Sequence, residues 1–376
     1  MIQTVLFDVD GVLLSEERYF DASGLTVWEL IHSGHYLGLA PEQFKTALTD
    51  EEIRRIRADV FQHDEVLRFL KSRGMNANWD MIYLTFTCQL LHLLSQIKEK
   101  EAGRIRGWLS REIDDETLHE IREVLAHYPV ETDYSIFLNW FAKRPETKQD
   151  LLKVLDQLAY EIFGLTDTQL GKKGALWSVC EHASQEWYVG DQNIVASTGK
   201  PSVQTGKKGF LDEEIPLAEP EKIGALFSFL AEKGLKLGVG TGRPQLETYG
   251  PFRALGWLPL FHEEHIVTAD DVLKAEEELG GHTPLAKPNP FTYLLALKGK
   301  NTPARGCTEC SLPLENGQEI LIVGDSLADL LAAQKIGAQF AGILTGLSGK
   351  EAKAEFEEHG ADYIFENVAD LKNIFL

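Results

Sequence analysis

At 376 residues the chain exceeds what a single hydrophobic core usually organises, so two domains are expected. Its composition, 44% apolar and 25% charged, is that of an ordinary globular protein and excludes a disordered chain. A formal net charge of −21 argues against broad binding to nucleic acid or anionic membranes, which requires clustered Lys and Arg, and any phosphorylated ligand then needs locally concentrated positive charge.

The chain opens "MIQTVLFDVDGVLL", an apolar strand that runs into Asp8 and Asp10. Residues two apart in an extended segment face the same way, about 7 Å apart, and at an effective dielectric of about 20 two carboxylates so placed repel by about 2 kcal/mol. A bound divalent cation removes that conflict, and hard cations such as magnesium prefer carboxylate and carbonyl oxygens. A solvated strand-to-turn junction, with "DG" as the turn dipeptide, accounts for the same residues. The opening carries no basic leader and no apolar run reaches the ~20 residues of a membrane span, so a cytoplasmic location with no membrane partner is expected.

After Leu14 the pattern turns helical and stays so for most of the next two hundred residues. Ile82, Phe86, Leu90, Leu93 and Ile97 recur at helical spacing and make one apolar face. Six of the seven tryptophans, Trp28, Trp79, Trp108, Trp140, Trp177 and Trp187, fall in this region, where they read as core rather than as ligand contacts. The stretch "GKPSVQTGKKGF" closes the region and reads as a mobile loop or a solvated connector.

From Pro216 the texture alternates between helices and short apolar strands, at "LKLGVGT", "HIVT", "EILIVGD", "FAGILT" and "DYIF". Such alternation indicates a mostly parallel sheet covered by helices on both faces, which the first strand "TVLFDVD" joins from far upstream. The helical region is then an insertion into an α/β domain.

In open parallel sheets ligands bind beyond the carboxyl ends of the strands. The notable polar residues lie there: Asp8 and Asp10 after the first strand, Thr241, Gly242 and Arg243 after "LKLGVG", and Asp325 and Asp329 after "ILIVG". Lys287 in "AKPNPF" precedes a helix read with Asn289 at the cap and Pro290 at its first position. Ser326 and Asp329 also fit a capping box with Asp in place of Glu, which leaves Asp325 without a structural reason. Of four cysteines, Cys88 and Cys180 read as buried thiols. Cys307 and Cys310 of "CTEC" read as two free thiols in an irregular loop, or as half of a zinc site completed by His262 and His265 of "HEEH".

In this order "DVDGV", "GTGR", Lys287 and "GDSLAD" resemble the motifs of the haloacid dehalogenase (HAD) superfamily of phosphotransferases: DxDG(T/V), a Ser or Thr after the second strand, a downstream Lys and a GDxxxD-type acidic cluster. The resemblance covers about residues 1–14 and 215–376. The insert, 15–214, is similar in placement to a helical type 1 cap but is much longer than such caps usually are. The resemblance implies an α/β fold, a Rossmann-like doubly wound parallel sheet core with a large all-helical cap inserted after the first strand. It implies Asp8 as the nucleophile that forms an aspartyl phosphate and Asp10 as the acid and base. Magnesium would be held by Asp8, the Asp10 main-chain carbonyl, Asp325 and Asp329. Thr241, Gly242 and Lys287 would bind phosphate oxygens, Gly11 would let the backbone approach them, and Arg243 would touch substrate or face the cap.

Phosphonate-cleaving relatives have Ala in place of the second Asp, so Asp10 points to ester hydrolysis or phosphoryl transfer. The expected activity is a magnesium-dependent phosphatase acting on a small phosphorylated metabolite. A phosphomutase of the same mechanism and a non-catalytic phospho-ligand sensor whose insert binds a partner are the alternatives.

Overall fold

The computed structural model describes every residue except Asn76, His282 and Thr283. The chain divides into two compact units, one of Met1–Glu17 with Leu211–Leu376 and the other of Arg18–Phe210.

The first unit is built on a six-stranded sheet: β1 (Thr4–Phe7), β2 (Lys236–Gly240), β3 (Ile266–Val267), β4 (Ile320–Gly324), β5 (Gln339–Ile343) and β6 (Tyr363–Phe365). The strands lie in the order β3-β2-β1-β4-β5-β6 and every pair is parallel. Runs such as "TVLF" and "ILIVG" are buried along their whole length because helices cover both faces of the sheet. Alternation sorts their side chains. Val5, Phe7, Leu321 and Val323 enter one core with Phe227 and Phe252, while Leu6 and Ile322 enter the opposite core with Leu294 and Leu330.

Chain order reverses across β1: β2 and β3 are laid down on one side and β4, β5 and β6 on the other. This is the doubly wound arrangement, and its crevice opens at the carboxyl ends of β1, β2 and β4. The register Phe7↔Val239 and Phe7↔Val323 sets the residues after these strands level with one another. The helix Leu327–Ile336 starts on Ser326 and stops at Gly337, whose φ of 80° is the left-handed conformation that glycine adopts without strain.

The second unit is helical. Its longest helix, Asn78–Leu109, buries Ile82, Phe86, Leu90, Leu93 and Ile97, as the spacing predicts, and departs from helical geometry at Glu101. Trp108 and Trp187 are buried and their indole N–H groups donate to Glu120 and Glu29; Trp177 is half-buried and donates to Asp80. Cys88 and Cys180 are fully buried thiols.

The segment 199–210 is exposed over much of its length but is not merely a solvated connector, because it docks at Lys207. Lys207 is buried and its ammonium lies 2.8 Å from Glu29 and 2.5 Å from Glu186, while Asp191 accepts from Ser202 and from the Gly206 amide. Two buried carboxylates on neighbouring helices need a cation, and this segment supplies it. Among the described residues no helix is long and apolar enough to cross a membrane.

Candidate active site

Asp8 follows β1 directly. Its amide donates to Val323 on β4, and its Oδ1 accepts from the Val9 amide at 2.8 Å. The Lys287 ammonium stands 2.9 Å from that carboxylate and 2.8 Å from Asp329. Lys287 also lies 4.8 Å from the centre of the Tyr293 ring, and the Tyr293 hydroxyl donates to Asp329 at 2.7 Å. A side chain on Gly240 would run into that ring, so a glycine at the end of β2 admits the tyrosine to the site.

Asp329 is fully buried, and its second oxygen accepts from the Ser326 hydroxyl at 2.6 Å. The expected capping box is therefore only half present. Ser326 accepts from the Asp329 amide, but the Asp329 carboxylate turns into the site. The helix after Lys287, Phe291–Lys298, also differs by a residue from its sequence reading: Pro290 takes the cap position, and Asn289 Oδ1 accepts from the Phe291 amide.

Asp325 sits between two glycines. A Cβ on either Gly11 or Gly346 would overlap its carboxylate, and Gly11 has φ 72°. Thr345 ties the two loops together by donating to the Gly11 carbonyl at 2.8 Å. The result is a cluster in which carboxylate oxygens of Asp8, Asp325 and Asp329 lie within 4.8 Å of one another.

Asp8 and Asp329 are buried and share the Lys287 ammonium, while Asp325 beside them is partly buried, and the titration of each reflects its place. Burial, opposed by Lys287 and reinforced by Asp329, pushes Asp8 up to about 7. Burial and the charges of Asp329 and Asp8 push Asp325 well above the usual carboxylate range. Burial acts on Asp329 too, but Lys287 and the hydroxyls of Ser326 and Tyr293 outweigh it and hold this acid below its usual value. Burial weighs against the Lys287 charge, yet Asp329 and Asp8 raise its pKa above the ordinary lysine value. Positive charge is short here by design of the donor set. Oxygens around a hexacoordinate magnesium stand about 3 Å apart when adjacent and about 4 Å apart when opposite, so an all-oxygen cluster of this span fits a hard divalent cation with little adjustment.

Asp10 does not share that ammonium. Its Oδ1 accepts from Arg243, at 2.6 Å from Nη2 and 2.8 Å from Nε. The two acids of "DVD" are thus compensated by different cations, which resolves the repulsion that the strand spacing raised. Arg243 is only 2% exposed and also pairs with Glu214 at 2.8 Å, so its expected role as a substrate contact gives way to an internal one. Thr241 is buried at the end of β2 and accepts from the Arg243 amide, whereas the space beside Gly242 is open.

Among the described residues Cys307 and Cys310 belong to no cluster of three potential metal ligands; the cluster found there is the aspartate one, and His262 and His265 are not part of it either. The Cys310 thiol donates to the Cys307 carbonyl, and His265 Nδ1 bonds the Ala296 carbonyl at 2.8 Å.

Sequence reasoning missed Tyr293, Glu214, Thr345 and Gly346. Tyr293 lay in plain view on the helix after Lys287, and "TG" after the strand "FAGIL" repeats the "TG" after "LKLGVG" at the same edge of the sheet. Glu214 carries no such signal, because only the fold brings it to Arg243.

Residues 284–371 match the HAD-hydrolase-like family. Among solved structures, a crystal structure determined as a Northeast Structural Genomics Consortium target is 38% identical over 100% of this chain and 98% of its own, with a TM-score of 0.91. A HAD phosphatase from Thermococcus onnurineus is 16% identical, covering 100% of this chain and 98% of its own at a TM-score of 0.41. A HAD family hydrolase from Deinococcus radiodurans R1 is 14% identical, covering 100% and 95% at a TM-score of 0.40. Likenesses as low as these last two carry no weight for the site. No curated protein matches the chain. With its doubly wound parallel core, its helical insertion after the first strand and the matched C-terminal segment, the chain belongs to the haloacid dehalogenase-like hydrolases.

Proposed function

We propose that the protein is a magnesium-dependent phosphatase that removes phosphate from a small phosphorylated metabolite through an aspartyl phosphate on Asp8. The observation that carries this reading is the convergence of Asp8, Asp325 and Asp329 around Lys287 at the carboxyl ends of β1 and β4. Phosphate monoesters hydrolyse extremely slowly unaided, and a site for them needs a positioned nucleophile and dense charge compensation.

Asp8, Asp325 and Asp329, with the Asp10 main-chain carbonyl, would hold magnesium, which when bound neutralises developing charge on the phosphoryl oxygens. Lys287 holds the Asp8 carboxylate in place and presents an N–H toward the same oxygens, joined by the Thr241 hydroxyl and the Gly242 amide. Gly11 lets the backbone approach them. In the first step an Asp8 oxygen bonds to phosphorus and the ester P–O bond breaks, with the Asp10 carboxyl giving its proton to the departing oxygen. In the second, the Asp10 carboxylate takes a proton from water as that water attacks phosphorus, which releases inorganic phosphate and restores Asp8. The setting is cytoplasmic.

The test is phosphate release from p-nitrophenyl phosphate and from a panel of sugar, polyol and nucleoside phosphates, with and without magnesium. The wild-type chain is expected to turn over at least one of them only with the metal, and Asp8→Asn to lose about 10³-fold or more. Turnover that persists in Asp8→Asn, or no metal-dependent release from any compound, contradicts the proposal.

A further inference from the structure

Arg243 is a fully enclosed cation whose contacts are unequal in kind. Nε and Nη2 both reach the same oxygen of Asp10, at 2.8 and 2.6 Å, whereas Nη1 reaches Glu214 at 2.8 Å. Its amide donates to Thr241 Oγ1, and its carbonyl accepts from the Ala269 amide, so its backbone is fixed between β2 and the segment after β3. The Asp10 side chain keeps 33% exposure while that of Glu214 keeps 1%.

Glu214 belongs to the segment by which the chain re-enters the sheet unit. That segment is paired with the turn that follows Asp10: Leu14 bridges Pro216, the Ser15 amide donates to Ile215, and the Leu217 amide donates to Leu13. The turn is closed on itself by the Gly11 amide, which donates to Leu14. Asp10 is thus held at two points, through its backbone by the turn and through its carboxylate by an arginine that Glu214 anchors.

We propose that Glu214 is a positioning residue that acts through Arg243 to fix the Asp10 carboxylate, with Oδ1 pinned and Oδ2 turned out as the oxygen that delivers and accepts the proton. The inference rests on the phosphatase reading above for the role of Asp10. An oxygen that already accepts two guanidinium N–H bonds is the poorer place for a proton, and two donors converging on that oxygen hold its position more firmly than one flexible ammonium would.

The experiment compares kcat/KM for an alkyl phosphate, glycerol 2-phosphate, with that for p-nitrophenyl phosphate in the intact chain. The alkoxide cannot depart without a proton, whereas p-nitrophenolate leaves readily, so displacement of Asp10 must show as a change in the ratio. Arg243→Lys and Glu214→Ala are expected to lower the alkyl-to-aryl ratio about tenfold or more through kcat, with KM little changed. Glu214→Gln, which keeps an oxygen acceptor for Nη1, recovers most of the ratio. In an Asp10→Asn background Arg243→Lys adds no further loss.

Equal losses on both substrates, or losses that multiply in the double variant, overturn the proposal and leave the pair a merely structural role. Should the wild-type chain hydrolyse neither of these two substrates, crystal structures of the wild type and Arg243→Lys decide the positioning on their own: an Asp10 carboxylate displaced in the variant upholds it, and an unmoved one overturns it.

Discussion

Lys287 reaches two carboxylates at 2.8 and 2.9 Å from a position only 15% exposed, so its charge cannot be removed without exposing their repulsion. Lys287→Met is expected to destabilise the metal-free protein by about 3–5 kcal/mol, since breaking a buried pair leaves its partners uncompensated. Added magnesium is expected to restore part of that loss in denaturant unfolding; unchanged stability without metal contradicts a compensating role for Lys287. At this scale the sequence was most legible where residues are adjacent to strand ends. Asp8, Lys287, Asp325 and Asp329 meet as their motifs imply. What spacing could not show was the direction of each side chain. The i, i+2 rule placed Asp8 and Asp10 on one side, but β1 ends at Phe7, and the turn beyond it sends Asp10 to Arg243.

At the scale of elements, the loops after β1 and β5 work as a pair around Asp325, joined by Thr345 and kept close by Gly11 and Gly346. Gly346→Ala is expected to push the Asp325 carboxylate aside and lower turnover about 10²-fold, the usual penalty for an ångström of misplacement. Gly11→Ala adds strained backbone, at φ 72°, to the same clash and is expected to lose more. Parallel assays of metal-dependent hydrolysis check the order, and equal, wild-type rates in both variants contradict it.

The segment 199–210 makes a different kind of prediction. Burial pushes Glu29 up to about 7 despite Lys207, while the His182, Lys207 and Val203 contacts of Glu186 overcome burial and hold that acid down. An acid whose folded pKa is raised contributes stability that is present below its unfolded value of 4.5 and lost as pH rises through about 7. Relative to Glu29→Gln, the wild type should therefore lose about 3 kcal/mol between pH 4.5 and 8. Chemical denaturation across that range measures it, and parallel pH profiles for the two proteins contradict it. The strands themselves were legible because buried parallel strands are short, β-branched and bounded by turns. The docked segment was not, because its Gly and Lys content reads as solvent-exposed and its partners lie on helices far away in sequence.

For the whole molecule, a net charge of −21 coexists with a site short of positive charge, so the protein repels the phosphate esters it is proposed to bind except where Lys287 and a divalent cation act together. The fold class was written in the alternation of apolar strands and helices after Pro216 and in the helical run before it. The functions of the second unit were not, since its periodicities specify packing rather than a ligand. The central claim is that Asp8 itself carries the phosphoryl group. Acid quench during turnover with magnesium, reduction by borohydride and peptide mass mapping test it most directly. With p-nitrophenyl phosphate, whose leaving group needs no proton, a reduced residue at position 8 is expected, more abundant in Asp10→Asn, where the second step is slowed, and absent in Asp8→Asn. Steady turnover with no modification at Asp8 in either the wild type or Asp10→Asn contradicts it.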